Sequence, residues 1–277
     1  MKVLVFPADS FGCGYHRLIW PVEVLRVQGH DVQVVPQEER QLIIRMDDHG
    51  TVHDVELADE YDVVVLQRVT HRNLVGVIKV LRARGVAVVV DVDDDLSTIH
   101  PSNPAWPMLH PTLPKEGAAT LHSWRNLDAA CREATLVTAT TPALTARYAP
   151  HGRARVFANY LAQHYYEDTW HADSSVIGWP ASLASHPNDP DAVGNAISRL
   201  VDDGAWFHVV SVADGAQRAF GIRDASRITR IDSPVSLLDW PREIAKIGIG
   251  IARAFGENPL LGVMAGSVTG SLGRPRR

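Results

Sequence analysis

The apolar residues of this chain come in short runs separated by amphipathic stretches. Val3–Phe6 is apolar without a break, the pattern of a strand buried on both faces. Leu18, Ile19, Val22, Leu25 and Val27 then recur on one helical face, and Gly29 is a helix stop. His30–Val35 alternates and turns apolar, a second strand. Gln41–Met46 and Thr51–Leu57 flank Asp48-His49-Gly50, which predicts a hairpin. Tyr61–Leu66 reads as a strand, Asn73–Arg84 as a helix closed by Gly85, and Val86–Val90 as a strand of five apolar residues. Strands and helices alternating at this spacing predict a parallel sheet covered by helices on both faces.

Five prolines between Pro101 and Pro114 mark an irregular loop. The pattern then predicts a helix over Gly117–Glu133, a strand over Leu136–Ala139, a helix over Pro142–Tyr148 and a strand over Arg155–Asn159. Polar, aromatic Gln163–Ser174 reads as a linker. A second set follows: a strand at Val176–Trp179, a helix over Pro190–Val201, a strand at Phe207–Val212, a short element at Ile228–Ile231, a helix at Trp240–Lys246 and the apolar Ile247–Ile251. After Ala252 the periodicity fails, and the glycine-rich, arginine-ended tail predicts weak packing. The expected organisation is α/β: a Rossmann-like domain at 1–162, a linker at 163–174, a partial Rossmann-like domain at 175–251 and a poorly ordered tail at 252–277.

Composition narrows the function classes. The net charge of -5 argues against a protein that coats nucleic acid. Two distant cysteines, Cys13 and Cys131, form neither a disulfide framework nor a zinc pattern, and suit a reducing cytoplasm. No secretory signal is visible, and no run reaches the ~18 apolar residues of a membrane span, which leaves peripheral membrane contact open.

Candidate chemistry gathers where strands end. Gly12-Cys13-Gly14-Tyr15-His16-Arg17 follows the first strand, and Gly178-Trp179-Pro180 with Ser182, Ser185 and His186 follows a later one. Each places backbone N–H groups and a helix start where an anion such as a phosphate is favoured. An arginine at position 17 can bind phosphate bidentately, or lie in solvent beside a tight turn. Asp91-Val92-Asp93-Asp94-Asp95 follows the most apolar strand. These carboxylates read as a divalent metal site, as holders or deprotonators of acceptor hydroxyls, or as the acidic first turn of a helix. His100 and Trp106 either contact a sugar or belong to a proline-rich surface loop. Thr140-Thr141-Pro142 reads as a helix cap.

Taken as an ordered set, these motifs resemble the GT-B-fold glycosyltransferases, specifically the family-4-like group common in actinobacteria and their phages. The matching stretches are Gly12–Arg17 with Trp20-Pro21, Asp91–Leu96, Asn103-Pro104, Val137–Leu144, Val156–Tyr160 and Ile177–Trp179, and the likeness covers about residues 1–251. The resemblance implies an N-terminal acceptor-side domain, a C-terminal donor-binding domain and sugar transfer from a nucleotide-sugar donor to a hydroxyl acceptor. It implies no resident metal or other cofactor. It assigns Asp93, Asp94 and His16 to catalysis. Gly12, Gly14, Arg17, Gly178, Ser182, Ser185 and His186 go to the donor phosphates, and Tyr15, Asp95, His100 and Trp106 to the acceptor.

The chain departs from that family in two places. Pro180-Ala181 replaces a small glycine-containing turn, and Ala252–Arg277 lacks the expected basic residue and glutamate-bearing helix, Glu257 being its one carboxylate. A shifted reading frame beyond Ile251 would explain the second departure, and such a chain is expected to have impaired activity. The alternative function is a non-catalytic nucleotide- or sugar-binding module. A dinucleotide-dependent oxidoreductase is disfavoured: the glycine fingerprint is incomplete, and Val34-Val35 runs into Pro36-Gln37 before Glu38.

Overall fold

A computed structural model describes residues 1–36, 39, 42–110, 123–162, 175–180, 183, 189–210, 215–230, 236–237 and 239–251. They form two compact units, one of residues 1–100 and 105–162, the other of 101–104 and the described part of 175–251. The expected linker at 163–174, the tail at 252–277 and residues 117–122 of the helix expected over 117–133 lie outside the described residues.

The first unit opens with β1 (Lys2–Phe6), then α1 (Gly12–Gly14), a π-helical turn (Tyr15–Ile19) and α2 (Trp20–Val27). Strand β2 (Asp31–Val34) follows, then β3 (Leu42–Met46) and β4 (Val52–Leu57). Next come β5 (Val63–Gln67), α3 (Arg72–Ala83) and β6 (Ala87–Val92). The unit closes with α4 (Trp106–Leu109), α5 (Ser123–Glu133), β7 (Leu136–Ala139), α6 (Pro142–Tyr148) and β8 (Ala154–Val156). Its six-stranded sheet is parallel throughout, in the order β2-β1-β5-β6-β7-β8.

The alternation of side chains along each strand sorts the core onto two faces. Val3 and Val5 pack with Leu18, Val22 and Val32 on one face. Leu4, Val64, Leu66 and Val88 pack with Ile78 and Leu127 on the other. β3 and β4 form the predicted antiparallel hairpin, pairing Leu42 with Leu57 and Ile44 with Val55. The hairpin lies against α3, where a Cβ at Gly76 would meet Val52 at 2.7 Å. Glycine is the residue that allows this approach. Thr141 caps α6 as expected, its hydroxyl accepting from the Leu144 amide at 3.2 Å.

The order of strands matters for the site. From β1 the chain crosses one way to β2 and the other way to β5, so the sheet changes direction between β1 and β5. Open α/β sheets bind ligands beyond the carboxyl ends of strands at such a switch point.

The second unit holds β9 (Val176–Trp179), α7 (Asp189–Val193), α8 (Ala196–Asp202), β10 (Trp206–Val209), α9 (Ala216–Ala219), β11 (Ile228–Arg230), α10 (Trp240–Ile244) and β12 (Ile249–Gly250). Its parallel sheet runs β11-β10-β9-β12. The helix expected over 190–201 is two helices instead. Gly194 adopts φ 53°, a left-handed conformation that ends α7 before α8 begins. Trp179, Phe207 and Phe220 fill the core with edge-to-face ring contacts at 5.0–5.1 Å.

One buried histidine ties this sheet to α10. His208 on β10 contacts Thr229 Oγ1 through Nδ1 at 2.8 Å, and its Nε2 lies 3.3 Å from Glu243 Oε2, which also binds Lys246. Burial holds the imidazole below its ordinary value of 6.5, with Glu243 opposing and Lys246 reinforcing that shift. The folded state therefore binds this proton less readily than the unfolded chain. Its contribution to stability is intact above pH 6.5 and is lost as pH falls from there toward the lower folded value. Thermal melts between pH 8 and pH 5 should show stability falling on the acid side, with a shallower fall in His208→Gln. An unchanged slope in the variant would assign the effect to other groups.

Candidate functional site

The loop after β1 is built differently from a phosphate cradle. The Asp9 carboxylate turns back over the start of the helix, and its Oδ1 accepts from the amides of Phe11 at 3.0 Å and Gly14 at 2.9 Å. A negative group already occupies the helix start. Gly12 and Gly14 lie in the first helical turn rather than in an open loop. A Cβ at Gly14 would sit 1.9 Å from the Asp9 carbonyl oxygen, so this glycine serves close packing. Gly12 and Gly14, expected at the donor phosphates, thus lie in a helical turn where Asp9 already holds the Gly14 amide.

Arg17, expected at the donor phosphates, is turned into the protein. Its side chain is 1% exposed. Nε donates to Asp91 Oδ2 at 3.1 Å, Nη2 donates to Asp91 Oδ1 at 2.5 Å, and Nη1 donates to the Phe157 carbonyl. The guanidinium also lies over the Phe157 ring, 5.0 Å from its centroid. The π-helical turn sets this direction, because its extra residue per turn re-aims the side chains from position 15 to 19. All three nitrogens are engaged inside the protein and the side chain is buried, so the guanidinium presents no edge to solvent.

Asp91 completes the framework. It accepts from Thr138 Oγ1 at 2.6 Å, and Gln67 Nε2 lies 3.4 Å from its Oδ2. Burial pushes its carboxyl above the ordinary range, while Arg17 and Thr138 work against that shift. Gln67, at the end of β5, also accepts from the Ala8 amide at 2.9 Å and donates to the Cys13 carbonyl at 3.3 Å. The loop after β1 is thus fastened to β5 and β6.

The switch point itself holds Cys13, Arg68, Asp93 and Asp94. Arg68 follows β5 and has φ 49°, the one non-glycine residue with positive φ among the described residues. Such a backbone is strained for a side chain of this size, and strain of this kind collects at functional sites. Its Nε and Nη2 donate to the two Asp93 oxygens at 2.5 and 2.6 Å, and Nη2 also lies 3.1 Å from Cys13 Sγ and 4.0 Å from Asp94. Burial pushes the Cys13 thiol up to about 12, so it stays neutral. Asp94 is 66% exposed. The repulsion expected among Asp91–Asp95 is relieved by arginines: Asp91 by Arg17 and Asp93 by Arg68. Among the described residues no group of three His, Cys, Asp or Glu side chains is arranged to hold a metal ion.

His16 lies in the π-helical turn, next to Arg17 in the chain. Its Nδ1 is 3.3 Å from the Tyr160 carbonyl oxygen, and its own carbonyl accepts from the Tyr160 amide at 2.9 Å. With Nδ1 donating, Nε2 carries the lone pair and can accept a proton. Trp20 supports the ring edge-on at 4.9 Å and contacts Tyr15 at 5.7 Å.

Asp95 turns away toward α6, where its Oδ1 accepts from Ser97 N, Ser97 Oγ and Tyr148 Oη. His100 is exposed. Trp106 stacks on the buried His110 with ring centroids 3.6 Å apart. Gly178 lies within β9, where a Cβ would meet Ile247 at 2.3 Å, so close packing requires glycine there. Ser182, Ser185 and His186 lie outside the described residues. A cleft of about 560 Å³ in the second unit is lined by Arg199, Arg218, Arg223, Asp191 and Asp202, and by none of the predicted residues. Arg199 and Arg218 stand in the last turns of α8 and α9, where cations complement the helix dipole.

Gln67, Arg68 and Thr138 were not anticipated from sequence. Their signal was a polar pair directly after the apolar strand Val63–Leu66, and a threonine within a short strand.

No protein-family profile matches this sequence, and no curated protein matches it. Solved structures do match in fold. One is alpha-glucosyltransferase in complex with UDP, 12% identical, with TM-score 0.53 over 94% of this chain and 75% of that one. A second is alpha-glucosyltransferase in complex with UDP and a 13-mer DNA containing a central A:G mismatch, 12% identical, with TM-score 0.55 over 94% of this chain and 73% of that one. The chain has the GT-B-like α/β fold of these proteins, with Rossmann-like parallel sheets. Among the described residues no helix is long and apolar enough to cross a membrane.

Removing one member of the Arg17–Asp91 pair leaves a buried charge unmatched. Arg17→Met should cost about 3–5 kcal/mol in urea unfolding, and Arg17→Met with Asp91→Leu should recover most of it. A single variant as stable as the parent would show that the pair is not the framework of this site.

Proposed function

We propose that this chain transfers a sugar from a nucleotide-sugar donor to a hydroxyl acceptor. The observation that carries the reading is the likeness of fold, over 94% of the chain, to alpha-glucosyltransferase with UDP bound. The geometry of the first unit supports a division of labour. Asp9 fills the helix start after β1, which favours the second unit as the donor side, with the loop after β9 and its Ser182, Ser185 and His186 facing the diphosphate.

The first unit then supplies the acceptor side. His16 Nε2 takes the proton of the attacking hydroxyl in this reading, and Asp94, an exposed carboxylate beyond β6, is assigned to an acceptor hydroxyl. Loop N–H groups stabilise the leaving diphosphate in this reading, which needs no resident metal. Arg17 acts only through Asp91 and Phe157, as a positioning residue.

Incubation with UDP-glucose and other nucleotide-sugars, with UDP release and sugar transfer as readouts, tests the reading. Turnover that falls about 100-fold or more in His16→Ala, with UDP affinity kept, is the expected result. Binding without turnover would favour a nucleotide- or sugar-binding module, and neither binding nor turnover would overturn both readings.

A further inference from the structure

Gly12 differs from the glycines that this fold requires. A Cβ at Gly14 would sit 1.9 Å from the Asp9 carbonyl oxygen, at Gly76 2.7 Å from Val52 and at Gly178 2.3 Å from Ile247, so close packing excludes a side chain at those three positions. Gly29, Gly85 and Gly194 hold positive φ. Gly12 has neither need. Its φ is not positive, and among the described residues a Cβ built there meets the His16 ring alone, 3.8 Å from Cδ2 and 4.0 Å from Nε2. Glycine in a helix is less stable than alanine, because it loses more conformational freedom on folding. Position 12 carries that cost without a packing or backbone reason, and what it faces is the imidazole four residues on.

The ring itself is fixed from its other sides. The Tyr160 carbonyl oxygen only accepts, so Nδ1, 3.3 Å away, carries the hydrogen of the neutral ring and Nε2 the lone pair. The Tyr160 amide holds the His16 carbonyl at 2.9 Å, and Trp20 meets the ring edge-on with centroids 4.9 Å apart. Among the described residues Nε2 makes no hydrogen bond. Tyr160 and Trp20 thus set tautomer and orientation, and the missing side chain at position 12 leaves the Cδ2–Nε2 edge uncovered. A hydroxyl giving up its proton must come within about 2.6–3.2 Å of Nε2. A single methyl at position 12 makes ordinary contact with the ring, whereas the further carbons of Val or Leu compete for the space beside that edge.

We propose that Gly12 is the access residue of His16: the size of the side chain at position 12 sets whether the hydroxyl of an acceptor reaches Nε2. This rests on the transferase reading for the word acceptor, whereas the uncovered edge rests on the geometry of Gly12 and His16.

Diethyl pyrocarbonate, which carbethoxylates neutral imidazole, probes that edge on the full chain. Peptide mass spectrometry reads His16 separately from the other twelve histidines, with exposed His49 as the internal reference. His16 of the parent is expected to react, more slowly in Gly12→Ala, and about 10-fold or more slowly in Gly12→Val and Gly12→Leu, with His49 unchanged. Turnover of a nucleotide-sugar should fall in the same order while UDP affinity stays within about 2-fold. A parent His16 that does not react overturns the proposal, as does undiminished His16 reactivity in a folded Gly12→Leu. Thermal melts of Gly12→Ala keep the test decisive where the larger variants do not fold: a melt below that of the parent would make Gly12 a packing residue and overturn the proposal, and a melt at or above it upholds the space at position 12. Size-dependent shielding of His16 without turnover or UDP binding would uphold the access role and reject the transferase reading.

Discussion

A buried ion pair organises the carboxyl end of the larger sheet. Arg17 and Asp91 are 1% and 0% exposed, so both charges have left water, and each survives there only because its remaining hydrogen-bonding capacity is met. Thr138 meets that need for Asp91, and the Phe157 carbonyl meets it for Arg17. The consequence is positional. The pair ties the π-helical turn after β1 to the end of β6, and both to the segment that follows β8. Gln67 adds the loop at Ala8 and Cys13. Around this framework stand the His16 ring, held through Nδ1, and Arg68, held by Asp93.

The two strand–loop–helix units looked alike as sequence and differ as structures. After β1, a carboxylate of the chain itself sits on the helix start, and Gly14 is required by a backbone oxygen. After β9, Gly178 makes room for Ile247, and Gly194 breaks what the periodicity joined. Glycine fits four different needs here, which are helix entry, close approach, strand crossing and chain reversal. Composition does not distinguish them. The same ambiguity attended Arg17, because a guanidinium that binds phosphate and one that neutralises a buried aspartate occupy the same place in a motif.

Much of the architecture could be read from periodicity because burial on two faces leaves a direct trace. Val63–Leu66 and Val86–Val90 are apolar at every position since both faces of β5 and β6 are covered. The hairpin at 42–57 was legible from its turn, and the cap at Thr141 from the proline behind it. The site was less legible. Asp93 and Asp94 stood out as acidic residues after a strong strand, but Arg68 carried no motif, and its left-handed backbone has no sequence mark. Asp95 looked like its neighbours and instead joins Ser97 and Tyr148.

The sequence by itself determined the strands, most of the helices and the parallel α/β character, because those follow from local periodicity and from which residues water excludes. It also placed the polar residues at strand ends, where ligands of such sheets bind. Only the tertiary structure decided which of those polar residues face one another. Partners such as Arg17 and Asp91, 74 positions apart, meet through strand order, and strand order is a long-range property that no window of sequence contains. Strand order likewise sets Arg68, unmarked in the sequence, against Asp93 at the switch point.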